Sequence, residues 1–301
     1  MSDKYTRQTH IPFDKQILTY VFYAATQCPL IRVADVFGIS EASVFNIIAS
    51  LSELITKNLL REFVRWPEGN RVNDILHGFK EAQGFPGVIG AIDGSHVPIR
   101  APETFPENYI NRKGYHSINC MAVCDHEHFF TDIFIGWPGS THDARVFGNS
   151  PLHTAATNHL ENTFPQNCHM IGDSAYGLDN FIMVPFKDFG NLTRDQKNYN
   201  FKLSSTRMKI EHSFGILKGR FRRLKYIDMG DMEKLNAFIS SCFVLHNITL
   251  TTEDAFDDFL ADGLEGSDPD DPDVFHIQVR NEFGVQKRNT IVGILNEQNV
   301  P

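Results

Sequence analysis

No run of apolar residues in this sequence approaches the roughly 20 that a bilayer span requires, and residues 1–10 are polar, without a signal-peptide core. The expectation is a soluble, intracellular chain that meets no membrane. Cys-x-x-Cys pairs are absent too, and the five cysteines, Cys28, Cys120, Cys124, Cys168 and Cys242, are odd in number. A disulfide framework or zinc knuckle is therefore not expected, and small apolar residues in a reducing compartment are. Internal repeats are missing as well. Residues 40–56 contain no Lys or Arg, although they form one of the better helical patterns in the chain.

What is present suffices for one substantial core and a small satellite domain, since 42% of 301 residues are apolar. The net charge of −9 argues at first against a nucleic-acid partner. Its distribution reverses that. Residues 253–273 hold ten acids and no base, and without them the rest of the chain carries +1. Where the basic residues cluster then decides the matter.

Helical periodicity runs from Phe13 to Gln27, over Leu30 to Phe37, and from an N-capping Ser40 to about Asn58. The last stretch has the apolar stripe Val44, Ile47, Ile48, Leu51, Leu54 and Ile55. Ala34, Gly38 and Val44 fall where a helix-turn-helix needs a small contact, a sharp turn and a packing residue. Asn46 can read an adenine edge, with phosphate attraction left to Arg32, Lys57 or residues elsewhere. A DNA-reading unit and a purely structural three-helix unit both remain open.

A helical connector ending near Gly84 leads to a β-branched run over Gly87–Ile99, broken at Asp93-Gly94. Strands over Ser117–Cys124 and Phe129–Gly136 follow, joined by a turn at Asp125–His128. Asp143 begins a helical stretch. Further strands are expected at Cys168–Asp173 and Val184–Phe186, then helices from about Ser204 to Leu224 and Met232 to Thr249. This order suits an α/β, RNase H-like catalytic domain behind a small all-α helix-turn-helix domain. The expected division is 1–62 for the helix-turn-helix, 63–84 for the connector and 85–250 for the catalytic domain. Residues 251–273 form a loosely held acidic linker, and 274–301 a short mixed tail.

Asp93 and Asp173 each close a run that reads as a buried strand, where an unpaired carboxylate is costly. Either alone is explained as a turn aspartate, Asp93 with the help of Gly94. The pair is harder to dismiss. Glu211 lies beside the apolar stripe of the long helix, sharing a face with Gly215, Lys218 and Arg222. Its bland explanation is a nearly neutral surface pair with Arg207. Yet the helix is otherwise strongly basic. Carboxylates converging in a cleft repel one another unless a cation neutralises them, and hard oxygen donors select Mg²⁺ or Mn²⁺. Two such ions can activate water and stabilise the leaving oxygen of a phosphodiester. Asp143 is a fourth candidate ligand, with helix capping as the alternative. Asp125-His126-Glu127-His128 looks metal-like but is expected to be a solvated turn. Arg112, Lys113, Lys218 and Arg222 are the candidate DNA contacts.

The runs Gly90-Ala91-Ile92-Asp93-Gly94-Ser95-His96, Asn111-Arg112-Lys113-Gly114-Tyr115 and Gly136-Trp137-Pro138-Gly139-Ser140-Thr141-His142-Asp143 resemble those of PIF/Harbinger transposases. So do Gly172-Asp173-Ser174-Ala175-Tyr176, Arg207 with Glu211-His212-Ser213-Phe214-Gly215-Ile216-Leu217-Lys218, and Leu245-His246-Asn247. The resemblance covers roughly residues 14–250, in the family's order. It implies an RNase H-like fold and a divalent-metal DDE site of Asp93, Asp173 and Glu211, with Asp143 as a further ligand. It also implies DNA as substrate, action in the nucleus with the cytoplasm as a second location, and a separate Myb-like DNA-binding partner. The chain departs from the family in a late start, short of the helices usual upstream of the helix-turn-helix, and in a recognition helix poor in basic residues. The expected function is a metal-dependent DNA endonuclease. The rivals are a non-cutting, domesticated DNA-binding or adaptor protein, and an RNase acting on RNA–DNA hybrids.

Overall fold

Two prolines set the first helices in place. Pro12 and Pro29 stand just before α1 (Phe13–Ala25) and α2 (Leu30–Phe37), where a missing N–H costs nothing. The computed structural model describes residues 11–252, 259 and 281–297. Gly38, at φ 56°, ends α2 in the left-handed conformation that glycine adopts freely. The Ser40 hydroxyl then accepts the Ser43 N–H at 3.1 Å and starts α3 (Glu41–Phe63), at 98° to α2. Ala34 and Val44 are buried between them. Leu54, expected in the buried stripe, sits at its edge and is 46% exposed. Among the described residues no single helix is long and apolar enough to cross a membrane.

The connector is a separate helix, α4 (Asn70–Gln83), and β1 is one unbroken strand, Val88–Pro98, so Asp93 lies at its middle and not at its end. β2 (Ser117–Cys124) and β3 (Phe130–Pro138) continue antiparallel to it. After three short helices, α5 (Asp143–Gly148), α6 (Pro151–Asn158) and α7 (Leu160–Thr163), β4 (His169–Ile171) returns parallel to β1. The fifth strand, β5, is Ile182–Met183, parallel to β4, giving a mixed sheet in the order β3-β2-β1-β4-β5. It lies two residues before the expected run. Phe186 cannot join it, because its N–H and C=O are both taken by the Asn200 side chain, each at 2.8 Å.

α8 (Arg194–Arg220) begins ten residues earlier than its apolar stripe suggests. Thr193 and Gln196 form a capping box that starts it, a signal carried by the sequence itself. It also ends early. The chain leaves the helix at Phe221, whose side chain, like that of Leu224, turns into the core. α9 (Met232–Leu250) packs between β3 and α3. Its Ser241 and the Ser52 hydroxyl of α3 both meet the buried Tyr20 hydroxyl of α1. One contiguous apolar cluster therefore joins the first three helices to the sheet. The short mixed tail contains α10 (Glu282–Glu297), whose Lys287 ammonium donates to Cys168 O at 2.9 Å and Asn180 O at 2.6 Å.

Candidate active site

The sheet register brings the two aspartates together. Ala91 on β1 pairs with Ile171 on β4 in parallel register, and Asp93 and Asp173 each follow two residues later. Side chains two apart point to the same face of a strand, so the register places both carboxylates on one side of the sheet. Each has one oxygen tied down: Gly94 N–H donates to Asp93 Oδ1 at 2.8 Å, and Ala175 N–H to Asp173 Oδ1 at 2.9 Å.

Asp143 arrives from the opposite flank. His142 occupies the cap of α5 and makes no side-chain capping bond, while the Asp143 carboxylate turns toward the sheet. There its Oδ1 accepts from Asn119 Nδ2 on β2 at 2.7 Å. It rests on the bare Cα of Gly94, where an added methyl would stand 2.6 Å from its Cγ. Capping does not explain Asp143. Gly94 serves the approach of this second carboxylate rather than a turn, since its backbone belongs to an unbroken strand.

Glu211 reaches the cluster through Arg207. The guanidinium donates from Nη1 to Asp93 Oδ2 at 3.1 Å, and its Nη2 forms an ion pair with Glu211 Oε1 at 2.8 Å. The Arg207 side chain is 6% exposed, against 19% for Asp93 and 36% for Glu211. The bland alternative, a surface pair with Arg207, gives way to a bridge from a buried guanidinium to two candidate ligands, for which a near-zero surface value does not hold. Burial, then the negative charges of Asp173 and Asp143, push the Asp93 carboxyl well above the usual range, and Arg207 opposes them. The Tyr176 hydroxyl is buried beside the same three aspartates, with no hydrogen-bond partner among the described residues. Burial and those charges raise its pKa strongly. Sequence reasoning missed Arg207 as a bridge, Asn119 and Tyr176; only the run Gly172-Asp173-Ser174-Ala175-Tyr176 includes the last.

The candidate DNA contacts divide. Lys218 leaves α8 to donate to His96 O on β1 at 3.0 Å, three residues from Asp93. Arg222 does not share that helical face: it is in the 3-10 turn Arg222–Lys225, and its carbonyl accepts from the Gln27 side chain. Arg112 and Lys113 are exposed in a turn held by Asn111, whose Oδ1 accepts Lys113 N–H at 3.0 Å. Asn111 Nδ2 donates to Ser117 Oγ at 3.1 Å, and that oxygen lies 3.0 Å from His96 Nδ1. The turn is tethered to the stretch of β1 that Lys218 touches.

Two other expectations change. The Asp125–His128 turn is not solvated. Asp125 is buried, accepting the Glu127 and Phe129 N–H groups and pairing with Arg71 at 3.2 Å, which makes its role structural. The acidic segment 253–273 lies outside the described residues except for Phe259, whose ring carries the Arg220 guanidinium at 4.7 Å.

As they stand, no three His, Cys, Asp or Glu side chains among the described residues are grouped so as to hold a metal ion. The donor chemistry nevertheless fits a hard divalent cation. Asp93, Asp143, Asp173 and Glu211 offer only carboxylate oxygens, and after burial the charges of Asp173 and Asp143 help to raise the Asp93 carboxyl. Arg207 now neutralises two of the four.

A family model described as DDE superfamily endonuclease matches residues 92–247. "Putative nuclease HARBI1" of Rattus norvegicus is 32% identical over 248 residues, 81% of this chain and 69% of that protein. The Homo sapiens protein of the same name gives the same figures. "Protein ALP1-like" of Arabidopsis thaliana is 26% identical over 235 residues, covering 74% and 57% respectively. No solved structure matches. The family match begins one residue before Asp93 and ends at Asn247, so it contains every acid of the cluster and the whole mixed sheet except the first residues of β1. The chain belongs to the DDE superfamily endonucleases and is homologous to the Harbinger transposase-derived nucleases.

Proposed function

We propose that the protein is a divalent-metal-dependent DNA endonuclease with an RNase H-like catalytic domain, cutting phosphodiester bonds at the Asp93, Asp173 and Glu211 site. The observation that carries this reading is the convergence on β1 of carboxylates from four elements: Asp93 of β1 and Asp173 after β4 share a face, Glu211 of α8 meets Asp93 through Arg207, and Asp143 of α5 comes to Gly94 from the other side. Such a cluster is unfavourable unless it has a cation to hold. Asp93, Asp173 and Glu211, with Asp143, would hold Mg²⁺ or Mn²⁺, which when bound supplies water activation and charge neutralisation at the phosphate. The protein's own part is placement. The β1–β4 register sets Asp93 beside Asp173, and Asn119 and Gly94 seat Asp143. Lys218, Arg112, Lys113 and, from the following turn, Arg222 would take backbone phosphates. The first three helices would act as a helix-turn-helix, with α3 poor in base-reading cations. A Myb-like partner would supply sequence preference, and the site of action would be the nucleus.

A second reading has its own support. Arg207 already satisfies Asp93 and Glu211, as suits a protein that keeps the fold and binds DNA without cutting it. Supercoiled DNA incubated with the protein and Mg²⁺ or Mn²⁺, with and without a Myb-like partner, separates the two. Metal-dependent nicking that disappears in Asp173→Asn supports the enzyme. Retention of DNA binding with no nicking under any of these conditions supports the non-cutting protein.

A further inference from the structure

Arg207 is the one cation bonded to two of the candidate ligands, among the contacts described above. Its two terminal nitrogens serve different carboxylates, Asp93 on the sheet at 3.1 Å and Glu211 on its own helix at 2.8 Å. A guanidinium usually grips a single carboxylate through both nitrogens. Here the fork is split, with one terminal nitrogen beside each carboxylate. The arrangement neutralises two charges from different elements with one side chain, at the place where the cluster most needs positive charge. Asp93 and Glu211 both face the guanidinium, and among the described residues no three acids are grouped as ligands.

We infer that Arg207 is the resident counter-ion of the carboxylate cluster, and that a divalent cation binds by taking Asp93 and Glu211 away from it. This rests on the metal-dependent reading above and adds a competition to it. Arg207 is an internal cation that holds the acids together in the metal-free protein and lowers the apparent affinity for metal. Because the guanidinium is almost wholly buried in its present position, its release must change its accessibility.

Two measurements test this without relying on cleavage. The first is Mn²⁺ binding by titration calorimetry, at slightly alkaline pH, to the unmutated protein, Arg207→Met and Arg207→Lys. With the competitor removed, Arg207→Met should bind about tenfold more tightly, the size of one charge-assisted hydrogen bond forgone. Arg207→Lys, a point charge that cannot span both acids, should fall between. The second uses only the unmutated protein, so it stands even if the variants do not fold. Phenylglyoxal labelling, read by mass spectrometry against the exposed Arg61, should leave Arg207 protected in chelator and reactive in Mg²⁺. Equal or weaker Mn²⁺ binding by Arg207→Met, or an Arg207 that stays protected in Mg²⁺ while calorimetry shows the metal bound, overturns the displacement. Absence of Mn²⁺ binding by the unmutated protein and by Arg207→Met alike overturns the metal-dependent reading itself.

Discussion

Gly94→Ala is the smallest change that should disable the site while leaving the fold. The added methyl would stand 2.6 Å from the Asp143 Cγ and 2.9 Å from its Oδ2, with Oδ1 nearer still. Ordinary contact needs about 3.5 Å, so the carboxylate must retreat by about 1 Å. The obstacle is the end of a short side chain and not backbone, so the retreat is possible. It breaks the 2.7 Å bond from Asn119 and adds mild crowding, together about 1–3 kcal/mol of stability. A displacement of that size at a reacting centre typically costs about 10²-fold in rate. Urea denaturation should therefore show a modest loss, while metal-dependent nicking falls about a hundredfold. Asn119→Ala should give part of the same loss with the glycine intact. Nicking by Gly94→Ala at the unmutated rate would refute the placement of Asp143 in the site.

Lys218→Ala should weaken binding to any duplex and flatten the salt dependence by about one counterion, measured across a salt series; a preference-specific loss would mean that Lys218 reads bases and not phosphate. Asn247→Ala should be among the most damaging single changes, about 3 kcal/mol or more by urea denaturation. Its side chain holds Phe130 N–H at 2.9 Å, Phe130 O at 2.8 Å and Phe63 O at 2.7 Å, all left unpaired when it is removed. Acid should destabilise the fold early. Burial lowers His128 to about 4 and His246 to about 3, so below their ordinary 6.5 the unfolded chain binds protons that the folded chain does not. Stability then falls as pH drops from 6.5 toward 4, by at most about 2.7 kcal/mol per pH unit for the two together. His246→Gln should shallow that slope in denaturation curves taken at successive pH values.

The first four strands were legible in outline, and the candidate carboxylates could be singled out, because their signals are local. Asp93 and Asp173 each follow a β-branched or apolar run, and Glu211 interrupts a basic stretch. What joins them is not local. The Ala91–Ile171 register depends on a crossover of some 70 residues, and nothing in either strand alone specifies it. The parts played by Gly94 and Arg207 were not legible for the same reason. A glycine after an aspartate suggests a turn, and an arginine four residues before a glutamate suggests a surface pair. Only the approach of α5 and the burial of α8 show otherwise. Arg222 was assigned to the helical face because Phe221 and Leu224 continue the apolar stripe. They are buried as that stripe requires, but in a turn that has left the helix. The early start of α8 was readable in Thr193 and Gln196, a capping box with no apolar stripe beside it to draw attention.

Thermal melts of the unmutated protein and Asp173→Asn, each in chelator and in saturating Mn²⁺, reach the central claim most directly. A cation held by the carboxylates stabilises only the state that binds it, by about 2.7 kcal/mol at a hundredfold excess over Kd. The account predicts that Mn²⁺ raises the melting temperature of the unmutated protein and not that of Asp173→Asn, which should itself melt no lower in chelator because one repelling charge is gone. Equal stabilisation of both proteins, or of neither, would contradict it.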